Sequence, residues 1–268
     1  MSDMNRSFAG NMPEFYDRFP VPVMFEPFAQ DLARRLQGMQ SGHVLELAAG
    51  TGIVTRALAG TLPATVAITA TDLNPAMLDQ AKSHPGLERV QWQEADALSL
   101  PFADPQFDQI VCQFGVMFFP DKVAAFREAL RVLRPGGRLL FSVWGNREGS
   151  VWDVVVTVVG QFLSRDPASL VSPPYNDVAT VQADLKAAGF GATTSEDVIR
   201  STHSASPRDA AVSQCHGGLV RAAIDAQMPE RLDEITEAAI AAIEARFGSG
   251  AIESPLHAIL FTAVRPNE

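Results

Sequence analysis

The stretch Val44-Leu45-Glu46-Leu47-Ala48-Ala49-Gly50-Thr51-Gly52, followed by Thr71-Asp72-Leu73-Asn74-Pro75-Ala76-Met77-Leu78, decides how this chain folds. Residues 43–47 are a short apolar run, 53–60 have helical spacing, and 64–72 are apolar and β-branched. A strand, a glycine bend, a helix and a second strand ending in an acid make the opening of a parallel α/β sheet. Gly50 and Gly52 allow the backbone to turn and to approach a ligand with no Cβ in the way. Asp72 stands twenty residues after Gly52, at a strand end where an acid can accept from both hydroxyls of a ribose. Ligands of such sheets bind beyond the carboxyl ends of the strands, where the strand order reverses. The segment therefore reads as a nucleoside-cofactor site.

Working outward, the βα alternation continues. Asn74-Pro75 starts a helix running to about 83, with Pro75 at its first position. Strands are expected at 89–94, 107–113 and 138–144, with an amphipathic helix at 121–133 between the last two. Arg134-Pro135-Gly136-Gly137 ends that helix. Upstream, prolines at 20, 22 and 27 break the aromatic N-terminal text into a short lead helix, a turn and a helix at 25–38. Downstream, Val151 to Leu163 reads as a helix, although its β-branched content leaves a strand open. A helix at 178–188 closed by Gly189, a strand at 192–200, a helical region opened by Ser206-Pro207 and a last apolar strand at 255–264 complete the chain. A final strand reached through inserted helices implies a hairpin closing the sheet rather than another crossover. The expected fold class is α/β, a doubly wound, seven-stranded, mostly parallel sheet with helical lid insertions.

Composition narrows the function. Hydrophobic residues at 47% and charged residues at 19% exclude a disordered or coiled-coil chain. The excess of 31 acidic over 21 basic side chains repels phosphate backbones and anionic lipid, so neither nucleic acid nor membrane is an expected partner. The two cysteines, Cys112 and Cys215, form no disulfide framework, which suits a reducing, cytoplasmic setting. A dinucleotide fingerprint needs a third glycine, but positions 50 to 55 read Gly-Thr-Gly-Ile-Val-Thr. That counts against a nicotinamide-dependent oxidoreductase. No Ser-His-Asp set and no metal-ligand spacing is present, so no metal is expected.

Five segments in order, VLELAAGTG (44–52), TDLNPAML (71–78), EADALSLPF (94–102), FDQIVCQFGVMFFPD (107–121) and RVLRPGGRLLFSVW (131–144), resemble the class I S-adenosylmethionine-dependent methyltransferases. The likeness covers roughly residues 43–144 and is nearest to the branch that methylates quinones, sterols and other metabolites. Ala48 departs from the pattern, since many members carry glycine there.

The resemblance implies S-adenosyl-L-methionine as cofactor, a small-molecule methyl acceptor as partner, and methylation of O, N or C. It allows a homodimer. It also implies roles: Glu46, Ala48, Gly50, Thr51 and Gly52 line the methionine end, and Asp72 holds the ribose. Leu73 and Met77 pack on adenine, and Asp96 accepts from its amino group beside Ala97. Gln113 and Phe114 face the reactive sulfonium, and Tyr16 belongs to a segment that closes over the cofactor. Asp96 also reads as a turn residue, and Met77 as plain core. His216, in Gln214-Cys215-His216-Gly217-Gly218, and Tyr16 are the candidates for a general base. The same residues would serve a non-catalytic, cofactor-binding partner module. The expected organisation is an N-terminal helical cap over 1–42 and a methyltransferase domain over 43–268, with lid insertions at about 145–177 and 205–250.

Overall fold

A computed structural model describes residues 21–103 and 105–267, together with 14 and 17. Its elements, in chain order, are α1 (Glu26–Arg34), β1 (Gly42–Glu46), α2 (Ile53–Thr61), β2 (Val66–Asp72), α3 (Pro75–Lys82), β3 (Val90–Glu94) and β4 (Phe107–Gln113). There follow α4 (Lys122–Val132), β5 (Leu133–Trp144), α5 (Val151–Leu163), α6 (Val178–Ala188) and β6 (Thr193–Ser204). The chain ends with α7 (Pro207–Cys215), α8 (Gly218–Gln227), α9 (Leu232–Phe247) and β7 (Ile252–Val264).

The strands form one seven-stranded sheet in the order β3-β2-β1-β4-β5-β7-β6. β1 pairs in parallel with β2 and β4, β2 with β3, and β4 with β5. β7 runs antiparallel to β5, with Phe141 opposite Phe261, which is the expected hairpin-like closure. The order turns back between β1 and β4. The register sets Glu46 level with Ala70 and Val111, so the carboxyl ends of β1, β2 and β4 share one edge.

Local chemistry accounts for the helix starts. The side chains of Asn74 and Asp121 accept from the N–H groups of Ala76 and Ala124, and Ser150 Oγ accepts from Asp153 N–H at 3.1 Å. Gly189 closes α6 at φ +104, a backbone shape that glycine takes without penalty. The capped start settles residues 151–163 as a helix despite its valines.

The chain divides into two compact units. The sheet unit is Phe28–Gly145, Pro174–Val198 and Ala258–Glu268. Its core includes Phe107, Phe126, Phe141 and Phe261, all fully buried. Phe141 lies 5.3 Å from Phe126 and 5.2 Å from Phe261 between ring centres. Each buried ring of this kind contributes about 1.5–3 kcal/mol. The helical unit is Asn146–Pro173 and Ile199–His257, with the described chain before Phe28. There Val155, Val156 and Val159 of α5 share a buried cluster with Ile224, Ile235 and Ile243.

Several boundaries differ from the sequence reading. α1 stops at Arg34 rather than 38, because residues 36 and 37 bond back to the carbonyls of 33 and 34 as a tighter turn. Val21–Phe25 is a wide π-type turn leading straight into α1. Pro27 is accommodated because it falls in the first turn of the helix. β5 begins at Leu133, five residues early. Gly136 and Gly137 exchange main-chain hydrogen bonds with Arg265, so the Pro-Gly-Gly text stays in the sheet as an irregular stretch, with Gly136 at φ +74 and the register to β4 shifted. The segment of the helical unit that follows β5 is Asn146–Pro173. Tyr175 belongs to the sheet unit, where its hydroxyl donates to Asp184 Oδ2 at 2.7 Å.

Candidate functional site

The bend after β1 is built by main-chain bonds to its neighbours. Leu47 N–H donates to Val111 O, Ala49 N–H to Thr71 O, and Gly52 N–H to Ala49 O, each within 3.0 Å. Thr71 Oγ1 donates to Glu46 O at 2.7 Å. Three positions are left-handed: Ala48 at φ +52, Gly50 at +56 and Gly52 at +82. No heavy atom lies within 4 Å of where a Cβ on Gly50 would stand, so the bend is open there. Gly52 is the opposite case. A Cβ there would meet Ala81 Cβ at 3.0 Å and the Trp92 ring at 3.5 Å.

Asp72 ties the two halves of the motif together. Its Oδ2 accepts from Gly50 N–H and its Oδ1 from Asn74 N–H, both at 2.8 Å. A carboxylate offers about four acceptor positions, and with the N–H groups of Gly50, Asn74 and Leu73 directed at it capacity remains for a further hydroxyl donor. Burial raises the Asp72 pKa, and the N–H groups of Asn74, Gly50 and Leu73 oppose the shift. Beside it Leu73 is 47% exposed, one of few large apolar side chains so displayed, while Met77, in the first turn of α3, is buried.

Glu46 is a carboxylic acid with almost no access to water. Thr55 Oγ1 donates to its Oε2 at 2.6 Å. Burial pushes its pKa up to about 8, Thr55 pulls it down, and the charge of Asp72 adds to the rise. Thr51 Oγ1 is buried and has no hydrogen-bond partner among the described residues. A buried hydroxyl left unpaired is costly, and a ligand seated in the bend would satisfy it.

Phe114 follows β4 at φ +55. Its ring stacks on Trp144 with centres 3.6 Å apart and planes at 8°. Phe28 of α1 meets both rings edge-on, at 5.4 Å and 5.6 Å. This aromatic trio is buried, with Phe114 next to Gln113 in the chain. Asp96 lies on the exposed turn after β3, where its Oδ1 accepts from Leu98 N–H at 2.9 Å. Ala97 sits next to it, half-buried.

The edge of the sheet thus brings together Glu46, Ala48, Gly50, Thr51, Gly52, Asp72, Leu73, Met77, Gln113 and Phe114 in one unit. Asp96 and Ala97 join them through the bond from Ala95 N–H to Asp72 O at 3.1 Å. His216 is not among them. It closes α7 in the helical unit, and its Nε2 lies 3.1 Å from Thr236 Oγ1. Tyr16 lies outside the described residues. Among the described residues no cluster of His, Cys, Asp or Glu could hold a metal, and no helix is long and apolar enough to cross a membrane.

An open glycine bend, a buried unpaired hydroxyl and a carboxylate with spare acceptor capacity, at the point where the strand order reverses, fit an adenosyl cofactor. Comparison with known proteins agrees. Residues 44–137 match a family model described as a methyltransferase domain. A ubiquinone/menaquinone biosynthesis C-methyltransferase of Saccharophagus degradans is 31% identical over 176 residues, which cover 59% of this chain and 71% of that protein. An uncharacterized protein of Mycobacterium bovis is 40% identical over 104 residues, but the match spans only 38% of this chain and 37% of that one. A phosphoethanolamine N-methyltransferase of Haemonchus contortus has the same fold, with a TM-score of 0.63 at 17% identity over 98% of this chain and 60% of that one. The chain belongs to the class I S-adenosylmethionine-dependent methyltransferases.

Proposed function

We propose that this protein transfers a methyl group from S-adenosyl-L-methionine to an O, N or C atom of a small, moderately hydrophobic metabolite. The observation that carries this reading is the shared carboxylate of Asp72, which holds the bend at Gly50 and the turn at Asn74 while keeping acceptor positions for a ribose.

When bound, the cofactor supplies a methyl group already activated by the positive charge on its sulfur. The chain's own task is therefore to bind, align and exclude water. Gly50 and Gly52 let the backbone approach the methionine end, Thr51 Oγ1 offers a hydrogen bond there, and Glu46 adds a buried acid. Leu73 and Met77 provide apolar surface for the adenine, with Asp96 and Ala97 at its edge. The stacked, buried rings of Phe114 and Trp144 give an apolar flank by Gln113. For an acceptor that must lose a proton, His216 and Tyr16 are retained as candidate bases on the sequence pattern alone. The proposal places the protein in the cytoplasm, as a monomer or homodimer, acting on a small molecule rather than nucleic acid.

The test is calorimetry of the full chain with S-adenosylhomocysteine and, separately, NADH, followed by a methyl-transfer screen over metabolite extracts with labelled cofactor. Micromolar binding of the sulfur ligand and a labelled product support the reading. Tight binding of NADH without the sulfur ligand would reject it, and binding without any product would leave a cofactor-holding partner module instead.

A further inference from the structure

The loop that follows β3 carries both residues assigned to the adenine edge, yet it does not hold itself in place. Asp96 closes the turn locally, accepting from Leu98 N–H at its side chain and from Ser99 N–H at its carbonyl, both at 2.9 Å. Those bonds shape the turn, and the bond from Ala95 N–H to Asp72 O at 3.1 Å anchors only its first residue. The next residues are gripped by α4. Glu128 Oε2 accepts from Leu100 N–H at 2.8 Å. Arg131 Nη2 donates to Leu100 O and Nη1 to Phe102 O, each at 2.9 Å. The two side chains are also bonded to each other, Nε to Oε1 at 2.8 Å and Nη2 to Oε2 at 2.7 Å.

This differs from an ordinary surface ion pair. A pair at i, i+3 on a helix contributes at most a few tenths of a kcal/mol, and it needs no third party. Here the paired geometry aims the guanidinium fork and one carboxylate oxygen at main-chain groups of a distant loop. Leu100 has its N–H and its carbonyl both taken by this pair, and its side chain is buried at 5% exposure. The loop is therefore clamped at Leu100 and Phe102, four and six residues after Asp96. A planar, five-donor guanidinium can do this, whereas an ammonium cannot reach two carbonyls in a fixed fork.

We propose that Glu128 and Arg131 are positioning residues that set the 96–102 loop so that Asp96 meets the adenine amino group, and that the chain's preference for adenine depends on them. The inference rests on the reading of Asp96 and Ala97 given under the proposed function. Neither Glu128 nor Arg131 touches the cofactor; each acts through the backbone of Leu100.

The experiment measures dissociation constants of the full chain for S-adenosylhomocysteine and S-inosylhomocysteine, in which a carbonyl oxygen replaces the adenine amino group. The wild type should prefer the adenosyl form by roughly tenfold or more, because a carboxylate accepts from an amino group and repels a carbonyl. Glu128→Ala and Arg131→Lys should cut that preference to below about threefold, with the inosyl affinity little changed. Glu128→Gln keeps an oxygen for Leu100 N–H and should retain most of the preference. A wild-type preference in folded Glu128→Ala and Arg131→Lys overturns the proposal. So does an equal loss for both ligands, which would mean general support only, or a wild type indifferent to the base. If Glu128→Ala does not fold, Arg131→Lys decides alone. A wild type that binds neither ligand instead defeats the cofactor reading beneath it.

Discussion

The methyl group of Ala48 occupies the space that Gly115 leaves empty. A Cβ on Gly115 would stand 2.6 Å from Ala48 Cβ and 2.8 Å from Cys112 Sγ. Ala48 itself holds a left-handed conformation at φ +52, which costs a non-glycine residue about 1–2 kcal/mol. The alanine in the family's glycine position is thus matched across the sheet edge by a glycine. Gly115→Ala should lower stability by about 1–3 kcal/mol, the range for overpacking a tight site. Adding Ala48→Gly should recover part of the loss, and Cys112 accounts for the remainder. Ala48→Gly alone should be close to neutral, since relieved strain offsets the greater freedom of the unfolded chain. Thermal or urea melts of the four proteins check this. A double variant no more stable than Gly115→Ala would contradict it.

Asp72 should dominate cofactor affinity. Asp72→Ala removes the acceptor for the ribose and for Gly50 N–H and Asn74 N–H together. Binding of S-adenosylhomocysteine should weaken by about 1.5–3 kcal/mol, the scale of a lost charge-assisted hydrogen bond. The carboxyl is the stronger acceptor when ionised, and burial raises its pKa. Affinity should therefore fall on acidification at a higher pH than an ordinary carboxylate would dictate, and Asp72→Asn should abolish that acid limb. Calorimetry across pH reads both effects.

Glu46 gives the fold a pH dependence of opposite sense. Its pKa is raised to about 8 in the folded chain and lies near 4.3 in an unfolded one. Between those values the folded state holds a proton that the unfolded state has lost. The contribution is fully present below the unfolded pKa and is lost as pH rises through the folded one. A tenfold difference in proton affinity between the two states corresponds to about 1.4 kcal/mol, so wild-type stability should decline between about pH 5 and 8. Glu46→Gln, which still accepts from Thr55, should flatten that decline. An unchanged slope in melts across the range would show that Glu46 is not its source.

His216 separates two roles by kinetics. Thr236 Oγ1 donates to Leu232 O at 2.8 Å and lies 3.1 Å from His216 Nε2. Burial and the nearby Arg221 lower its pKa, which keeps the imidazole neutral at pH 7. If His216 is the base, His216→Ala lowers kcat by ~10²–10⁴-fold and leaves S-adenosylhomocysteine affinity unchanged. Wild-type turnover with a lowered Tm would assign it to packing alone.

Much of the fold was legible because the chain writes its buried strands plainly. Residues 107–113 form the expected strand without a shift of either end, with Ile110, Val111 and Cys112 as its fully buried centre. Gly189 and Asn74 marked helix limits for the same local reason. What escaped was carried by long-range main-chain bonds. The last strand starts at Ile252 rather than 255, because polar Ser254 turns inward and its Oγ accepts from Val151 N–H at 2.8 Å. Glu128 and Arg131 read as an ordinary charged helix face, and only the folded chain reveals that they bond residues 28 to 31 positions earlier. The bend and Asp72 were visible because glycine spacing and a strand-end acid are local patterns. The match of Ala48 to Gly115 was not, because no local pattern pairs residues in the separate loops that follow β1 and β4.

The packing of two indoles around the bend has a practical corollary. The Trp92 ring underlies Gly52, and Trp144 lies flat on Phe114, while Trp152 belongs to α5 of the helical unit. Two of the chain's three tryptophans are therefore native fluorophores in contact with Gly52 and Phe114 of the candidate site, and their emission offers a label-free way to follow loading and release in real time.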